Sequence, residues 1–367
     1  MATKQQGRGI ALACQGGGSH TAFTAGVLRQ LLTRELDVRA LSGTSGGAVC
    51  ALLAWSGLLA GTPEGRELGS RRLRDFWERV KPNGVVETLL ADLSIDALRA
   101  VGRLGVLLEI SPYVNPFEAS RTFRRMLEDT VPFDDLVIAP TAPRLLVSAA
   151  DVNTGEFRIF RSHPINREPA DRISSQTILA SAAVPTLFRS VPLEGHLYWD
   201  GLFAQNPPVR DLPDAARGEG EDHLPPNELW VIMINPAIHD REPTRVDDIR
   251  DRRNELAANI SFLQEIHFIG KINELARKGR LAGKAKAKYH PIKVRAITMA
   301  DGIAAELDYE SKLSRNPTRL DMLLEHGQEQ AKRFLAALAR SDADETTTIR
   351  SRDIWGRKRD RSWTPLR

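Results

Sequence analysis

An α/β sandwich on a mostly parallel sheet is the fold this sequence predicts, and three observations predict it. Short apolar runs with strand character, at 8–15, 38–41, 144–151 and 228–234, alternate with longer helical patterns. That alternation generates parallel sheets covered by helices. Two of the runs end in glycine-rich turns, Gly16-Gly17-Gly18 and Gly43-Thr44-Ser45-Gly46-Gly47, and each turn opens a helix. The composition supports a soluble globular chain: of 367 residues, 42% are hydrophobic and 27% charged, compatible with one large α/β domain.

The elements follow in order. Residues 8–15 (RGIALACQ) read as a buried strand, and Ser19 opens an amphipathic helix to about residue 36, with Phe23, Val27, Leu28, Leu31 and Leu32 on its apolar side. The run 38–41 is the next strand, and the small, apolar residues 48–60 form the helix after the second glycine turn. Residues 63–80 carry Leu68, Leu73, Phe76 and Trp77 at helical spacing, which assigns Trp77 to the core. The stretch 83–116 mixes helical patches at 86–90 and 95–108 with breakers at 111–113 and 115–116, a pattern open to a lid, a lipid-facing surface or a packed cap. A helix at 117–129 precedes strands at 144–151 and 156–161, joined by Asn153-Thr154-Gly155. Residues 172–183 form a helix stopped near Pro185, and 190–193 with 196–199 form a hairpin around Glu194-Gly195. Asn206-Pro207-Pro208 is expected to start another helix. A polar loop at 218–226, a buried strand at 228–234, a long helix at 246–277, an edge strand at 294–299 and an amphipathic helix at 319–338 complete the pattern.

Composition excludes several classes. Two cysteines, Cys14 and Cys50, cannot build a disulfide scaffold, and their apolar surroundings point to buried free thiols in a reducing compartment. Cys and His form no cluster with metal-ligand spacing, so no metal or other cofactor is expected. The polar start of the chain lacks a signal-peptide pattern, and the longest apolar run is too short to span a bilayer, so a cytoplasmic protein is expected, with peripheral membrane contact as its lipid-facing option. The net charge of +4 is unevenly placed. Residues 271–293 hold eight Lys or Arg against Glu274 alone, and the tail 341–367 is rich in arginine. Such segments suit an anionic membrane surface, a solvated helix face or a disordered tail. Nucleic acid is not expected as a partner, because aromatic residues are only 6% and do not interleave with the basic ones.

The chemistry centres on Ser45. A bare G-x-S-x-G is as readily a plain turn, but a strand before it and a helix after it are the setting of a nucleophile elbow. In so tight a turn Gly43 and Gly47 remove the Cβ atoms that would clash, and Ser45 is held at a helix N-terminus, where developing negative charge is favoured. The backbone N–H groups of Gly16, Gly17 and Gly18, with that of Gly46, are candidates for an oxyanion hole. The alternative for the triple glycine is a phosphate-binding turn, weakened because position 21 is Thr21. For the base, His223, His239, His267, His290 and His326 are available to a Ser-His-Asp esterase, though none has neighbours that mark it. Asp200 instead stands on a strand-end turn, where α/β sites lie, and a desolvated aspartate can activate serine.

Together, Gln15-Gly16-Gly17-Gly18-Ser19-His20, Gly43-Thr44-Ser45-Gly46-Gly47, the segment 179–185 with Phe188, and Tyr198-Trp199-Asp200-Gly201 resemble the patatin-like phospholipase family. The resemblance covers 8–211 as a motif-bearing core, with a weaker helical continuation over 212–340, so that 6–340 reads as one domain followed by the basic tail. It implies a three-layer α/β/α sandwich with extra C-terminal helices, a dyad of Ser45 as nucleophile and Asp200 as base, an oxyanion hole at Gly16 to Gly18, a lipid or phospholipid ester as substrate and no catalytic metal. Three positions depart from the family pattern. His20 and Thr21 replace a basic residue and a glycine, and Leu202 replaces a third small residue after Asp200. His20 is expected either to donate near the oxyanion hole or to cap the helix. These departures keep open a catalytically weak or inactive lipid-binding protein on the same fold.

Overall fold

A computed structural model describes residues 9–82, 111–113, 119–165, 168–185, 187–215, 225–235, 242–305, 307–308 and 310–340. The patches expected at 86–90 and 95–108, most of the loop at 218–226, and the tail at 341–367 lie outside the described residues.

The strands are β1 (Ile10–Cys14), β2 (Val38–Gly43), β3 (Arg144–Asp151), β4 (Phe157–Arg161), β5 (Val191–Leu193), β6 (His196–Asp200), β7 (Glu228–Met233) and β8 (Lys293–Thr298). They form one mixed sheet in the order β5-β6-β3-β2-β1-β7-β8, with β4 also pairing β3. The pairings among β3, β2, β1, β7 and β8 are parallel, while β4 and β6 on β3, and β5 on β6, are antiparallel. The helices are α1 (Ala22–Leu32), α2 (Gly46–Leu58), α3 (Pro63–Val80), α4 (Ala119–Thr130), α5 (Ser175–Ala182), α6 (Leu212–Ala215), α7 (Val246–Arg277), α8 (Gly283–Lys288), α9 (Asp301–Ala305) and α10 (Pro317–Arg340).

The two-residue period of a strand divides the core into two layers. Ile10, Leu12 and Cys14 of β1, and Trp230 and Ile232 of β7, face one cluster with Phe23, Leu52, Leu73 and Leu323 from α1, α2, α3 and α10. Ala11 and Ala13, with Leu229 and Val231, face the other, against Phe262, Leu263, Ile266 and Ile269 of α7. Helices thus cover both faces, giving the expected three-layer α/β/α sandwich, and Trp77 lies in the first core layer.

Most boundaries fall where local chemistry puts them. Thr62 caps α3 by accepting from the Gly65 N–H, with Pro63 in the first turn, and Ser174 caps α5 in a capping box with Thr177. Two expectations change. The first helix opens as a 3-10 turn over Gly18–Thr21 and stops at Leu32, where the Thr33 and Arg34 N–H groups bond back to Gln30 and Leu31 as the chain turns toward β2. Asn206-Pro207-Pro208 starts no helix. The prolines offer no N–H, and those of Val209 and Arg210 go to the Glu265 carboxylate on α7, so helix begins only at Leu212.

Candidate active site

The site forms where β1 and β2 end. Gln15, directly after β1, is fully buried and ties three elements together. Its Oε1 accepts from the Ile234 and Asn235 N–H groups at 2.9 Å each, and its Nε2 donates to Asn259 of α7 at 2.7 Å. Gly16 follows, and a Cβ there would lie 2.3 Å from the Thr44 carbonyl and 2.9 Å from the Ser45 Cβ. Only glycine lets the first turn lie this close beneath the second.

The second turn is an elbow in its geometry. Ser45 is buried and has φ 56° and ψ −131°, a conformation that costs a side-chain-bearing residue and persists only when its surroundings fix it. The fixings are visible. The Ser45 N–H donates to Ser181 Oγ at 3.0 Å, and Thr44 Oγ1 donates to the Gln205 carbonyl at 2.6 Å. A Cβ on Gly43 would meet the Gly47 carbonyl at 2.5 Å, and one on Gly47 would meet the Cys14 carbonyl at 2.3 Å, so both flanking positions require glycine. Ser45 is the N-cap of α2; the Gly47, Ala48 and Val49 N–H groups bond the Thr44 and Ser45 carbonyls, while that of Gly46 bonds no described residue.

Sheet register brings Asp200 to the same place. β4 occupies one edge of β3 along Leu146–Ala150, so β2 and β6 must share the other edge. β2 pairs there up to Val147 opposite Gly43, and β6 takes over at Ala149 opposite Asp200. The end of β6 is therefore set where β2 leaves the sheet to form the elbow.

Asp200 is 1% exposed. Its Oδ1 accepts from the Leu202 N–H at 2.8 Å, while Oδ2 is buried and makes no hydrogen bond of ordinary geometry. Burial pushes its pKa up to about 7, and the nearby Ser45 hydroxyl and the Leu202 N–H offset that rise in part. A carboxylate so placed can take a proton from a serine near neutral pH. Leu202 serves Asp200 through its main chain, which any residue offers.

The glycine turn needs one correction. The Gly16 N–H is committed to Asn206 Oδ1 at 2.6 Å, and its carbonyl accepts from Asn206 and Asn235 Nδ2 at 3.4 and 3.3 Å. Gly16 thus anchors the turn instead of offering a free donor. The Gly17 N–H bonds to no described residue. Gly18 has φ +56° and lies against the Lys312 carbonyl, to which Ser19 Oγ also donates at 3.0 Å.

His20 does not face this turn. Its Nε2 bonds Ser311 Oγ at 2.7 Å, and burial first, then the charges of Lys312 and Arg319, lower its pKa so that the ring is neutral. Thr21 fits by donating its hydroxyl to the Gly18 carbonyl at 2.6 Å. Lys312, half-buried, donates Nζ to Asn235 at 2.7 Å, linking the segment Glu310–Leu313 to the residue that also bonds the Gly16 carbonyl.

Among the histidines named for a Ser-His-Asp arrangement, His290 bonds the Pro226 carbonyl, His326 accepts from the Ala300 N–H and packs on Phe23, and His267 is exposed on α7. His223 and His239 lie outside the described residues. No described histidine bonds Ser45 or Asp200.

The sequence motifs did not single out Ser181, Gln205, Asn206, Asn235, Ser311 or Lys312. Ser181 stands within the segment 179–185 that carries the family resemblance, and Asn206 opens a proline pair. The remaining four carry no local signal, because their partners are distant in sequence.

The family model described as Patatin-like phospholipase matches residues 12–213. No curated protein matches the chain in sequence. Similar solved structures include VipD from Legionella pneumophila, at 13% identity and TM-score 0.39, covering 90% of this chain and 67% of that one. Human GIVD cytosolic phospholipase A2 with methyl gamma-linolenyl fluorophosphonate is similar at 13% identity and TM-score 0.40, over 90% of this chain and 59% of that one. The type III effector protein ExoU is similar at 15% identity and TM-score 0.31, over 89% of this chain and 53% of that one.

Proposed function

Because the chain belongs to the patatin-like phospholipase family, we propose that it is a serine acyl hydrolase that cleaves carboxyl esters of lipids, phospholipids among them, through Ser45 and Asp200. One observation carries this reading: a strained, buried serine at a helix N-terminus lies beside a buried carboxylate whose second oxygen is unpartnered. Such strain and desolvation persist where they serve chemistry.

In this mechanism Asp200 Oδ2 accepts the Ser45 hydroxyl proton as Oγ attacks the ester carbonyl carbon. The carbonyl electrons move to oxygen, and the N–H groups of Gly17, Gly18 and Gly46 donate to that oxyanion. When the tetrahedral centre collapses, the protonated Asp200 gives its proton to the departing alcohol, leaving an acyl-Ser45 ester. Asp200 then takes a proton from water, which attacks the acyl carbonyl, and collapse releases the fatty acid and restores the Ser45 hydroxyl. Gly16 acts by position, held on Asn206 and Asn235.

A short-chain nitrophenyl ester and mixed phospholipid vesicles, assayed beside Ser45→Ala and Asp200→Asn, test the reading. Turnover lost in both variants supports the dyad, and vesicle products identify the ester cut. Loss in Ser45→Ala alone moves the base elsewhere and revives the histidine alternative. A wild type inert on every ester yet bound to vesicles is the outcome of the lipid-binding alternative.

A further inference from the structure

Helix α7 is apolar on two sides. Phe262, Leu263, Ile266 and Ile269 are buried against the sheet. On the outer side Val246, Ile249, Leu256, Ile260 and Phe268 are exposed at 66, 50, 44, 54 and 47%. Their spacings of 3, 7, 4 and 8 residues keep them on one face of a helix. Arg253 and Lys271 are exposed on the same face. Of the nearby acids, Glu274 is paired with Lys271 and Lys278, and Asp248 lies roughly a third of a turn away. The face from Val246 to Lys271 runs about 38 Å at 1.5 Å per residue. An exposed face of this length, mostly apolar but carrying Arg253, Gln264, His267 and Lys271 as well, marks an interaction surface.

Its position relates it to the site. Asn259 bonds Gln15, just past the end of β1, and Glu265 holds Val209 and Arg210, a few residues beyond Asp200. Because α7 connects parallel strands β7 and β8, it runs back against their direction. The residues before Asn259 therefore stand past the carboxyl ends of the strands, on the side where Ser45 lies. Phe203, 56% exposed in the turn after Asp200, joins this rim, and that turn packs against α7. The larger basic segment at 271–293 instead leads to the amino end of β8, at the opposite edge of the sheet.

We propose that the outer face of α7 docks the protein on an anionic lipid surface, its apolar side chains entering the headgroup boundary while Arg253 and Lys271 meet lipid phosphates. The choice of lipid over protein as the occupant rests on the acyl-hydrolase reading and on charge: an apolar face with Arg253 and Lys271, whose one acid among the described side chains, Glu274, is paired, complements anionic headgroups. Docked this way, the rim beside Ser45 lies next to the lipid.

Flotation of full-length Ser45→Ala with vesicles of phosphatidylcholine, alone or mixed with phosphatidylglycerol, separates binding from turnover. The mixed vesicles should bind more tightly. Ile260→Asp combined with Phe268→Asp should lower that binding at least about tenfold, from two apolar side chains denied burial. Ile260→Ser with Phe268→Ser should do so as well, without adding charge. Placed in the protein that keeps Ser45, neither pair should change hydrolysis of a soluble ester. Unaltered vesicle binding in both pairs, no binding of the parent to either vesicle, or a parent dimer that the substitutions turn into monomer by light scattering would each overturn the proposal. A parent that binds vesicles while the wild type turns over no ester leaves the docking face standing and removes the hydrolase reading.

Discussion

The two ends of the central sheet treat buried carboxylates in opposite ways. At the amino end, Glu228 of β7 is buried with Arg295 of β8, and its Oε2 accepts from Arg295 Nε at 2.7 Å and Trp230 Nε1 at 2.8 Å, while Oε1 accepts from Arg295 Nη2 at 3.2 Å. At the carboxyl end, Asp200 is also buried, but no described cation bonds it, and its Oδ2 makes no hydrogen bond of ordinary geometry. Ser148 Oγ, which lies against Gly201, is buried without a hydrogen bond too. Satisfied polar groups hold a fold, whereas unmet ones cost stability and remain reactive. The amino end is built to stay put, and the carboxyl end holds the carboxylate proposed to accept a proton.

That contrast can be broken most sharply at the dyad. Ser45→Ala and Asp200→Asn should each lower kcat/KM for a soluble ester by about 10³-fold or more while the protein stays folded, measured by initial rates and circular dichroism. With ionised Asp200 as the proposed base, and burial raising its pKa to about 7, the wild-type kcat/KM should rise with pH through about 7 and level off above it. A flat profile from pH 5 to 9 assigns the proton to another group.

The amino end should respond in stability alone. Arg295→Met strands Glu228 in the core and should cost about 3–5 kcal/mol in urea unfolding, with kcat of the folded fraction unchanged. A loss of turnover that outruns the loss of fold would erase the distinction between the ends.

A third measurement turns the site residue into a stability probe. The folded pKa of Asp200 lies above its unfolded value of 3.8, so its contribution to stability is fully present below about pH 3.8 and is lost as pH rises through about 7. Asp200→Asn cannot ionise. It should therefore be more stable than the wild type to urea unfolding at pH 8, by at most about 4 kcal/mol at 1.36 kcal/mol per pKa unit, and the advantage should shrink toward pH 4. An advantage that does not vary with pH contradicts the assignment. The smallest effect belongs to Ser181→Ala, which orphans the buried Ser45 N–H and should lower kcat about tenfold, with kcat less affected by Ser181→Thr.

Much of this was legible in the chain. The helical spacing over 63–80 marked α3, Asn153-Thr154-Gly155 the β3–β4 turn, and the two glycine turns the places where strands give way to helices. Caps, turns and period-2 alternation act over a few residues, so local sequence determines them. The 3-10 opening of the first helix and the irregular path after Asn206 were not legible, because each answers to a distant partner: Ser311 and Lys312 for Ser19 and His20, Glu265 for Val209 and Arg210.

By itself the sequence determined which residues could do chemistry: Ser45 between glycines that a tight turn requires, and Asp200 at a strand end. Tertiary structure decided how they stand. It set Asp200 beside the elbow by giving β2 and β6 the same edge of β3, committed the Gly16 N–H to Asn206, turned His20 away toward Ser311, and left one face of α7 in solvent. The physical reason is range. Turn chemistry is written within a handful of residues, but burial, and with it the raised pKa of Asp200, depends on everything that packs around it.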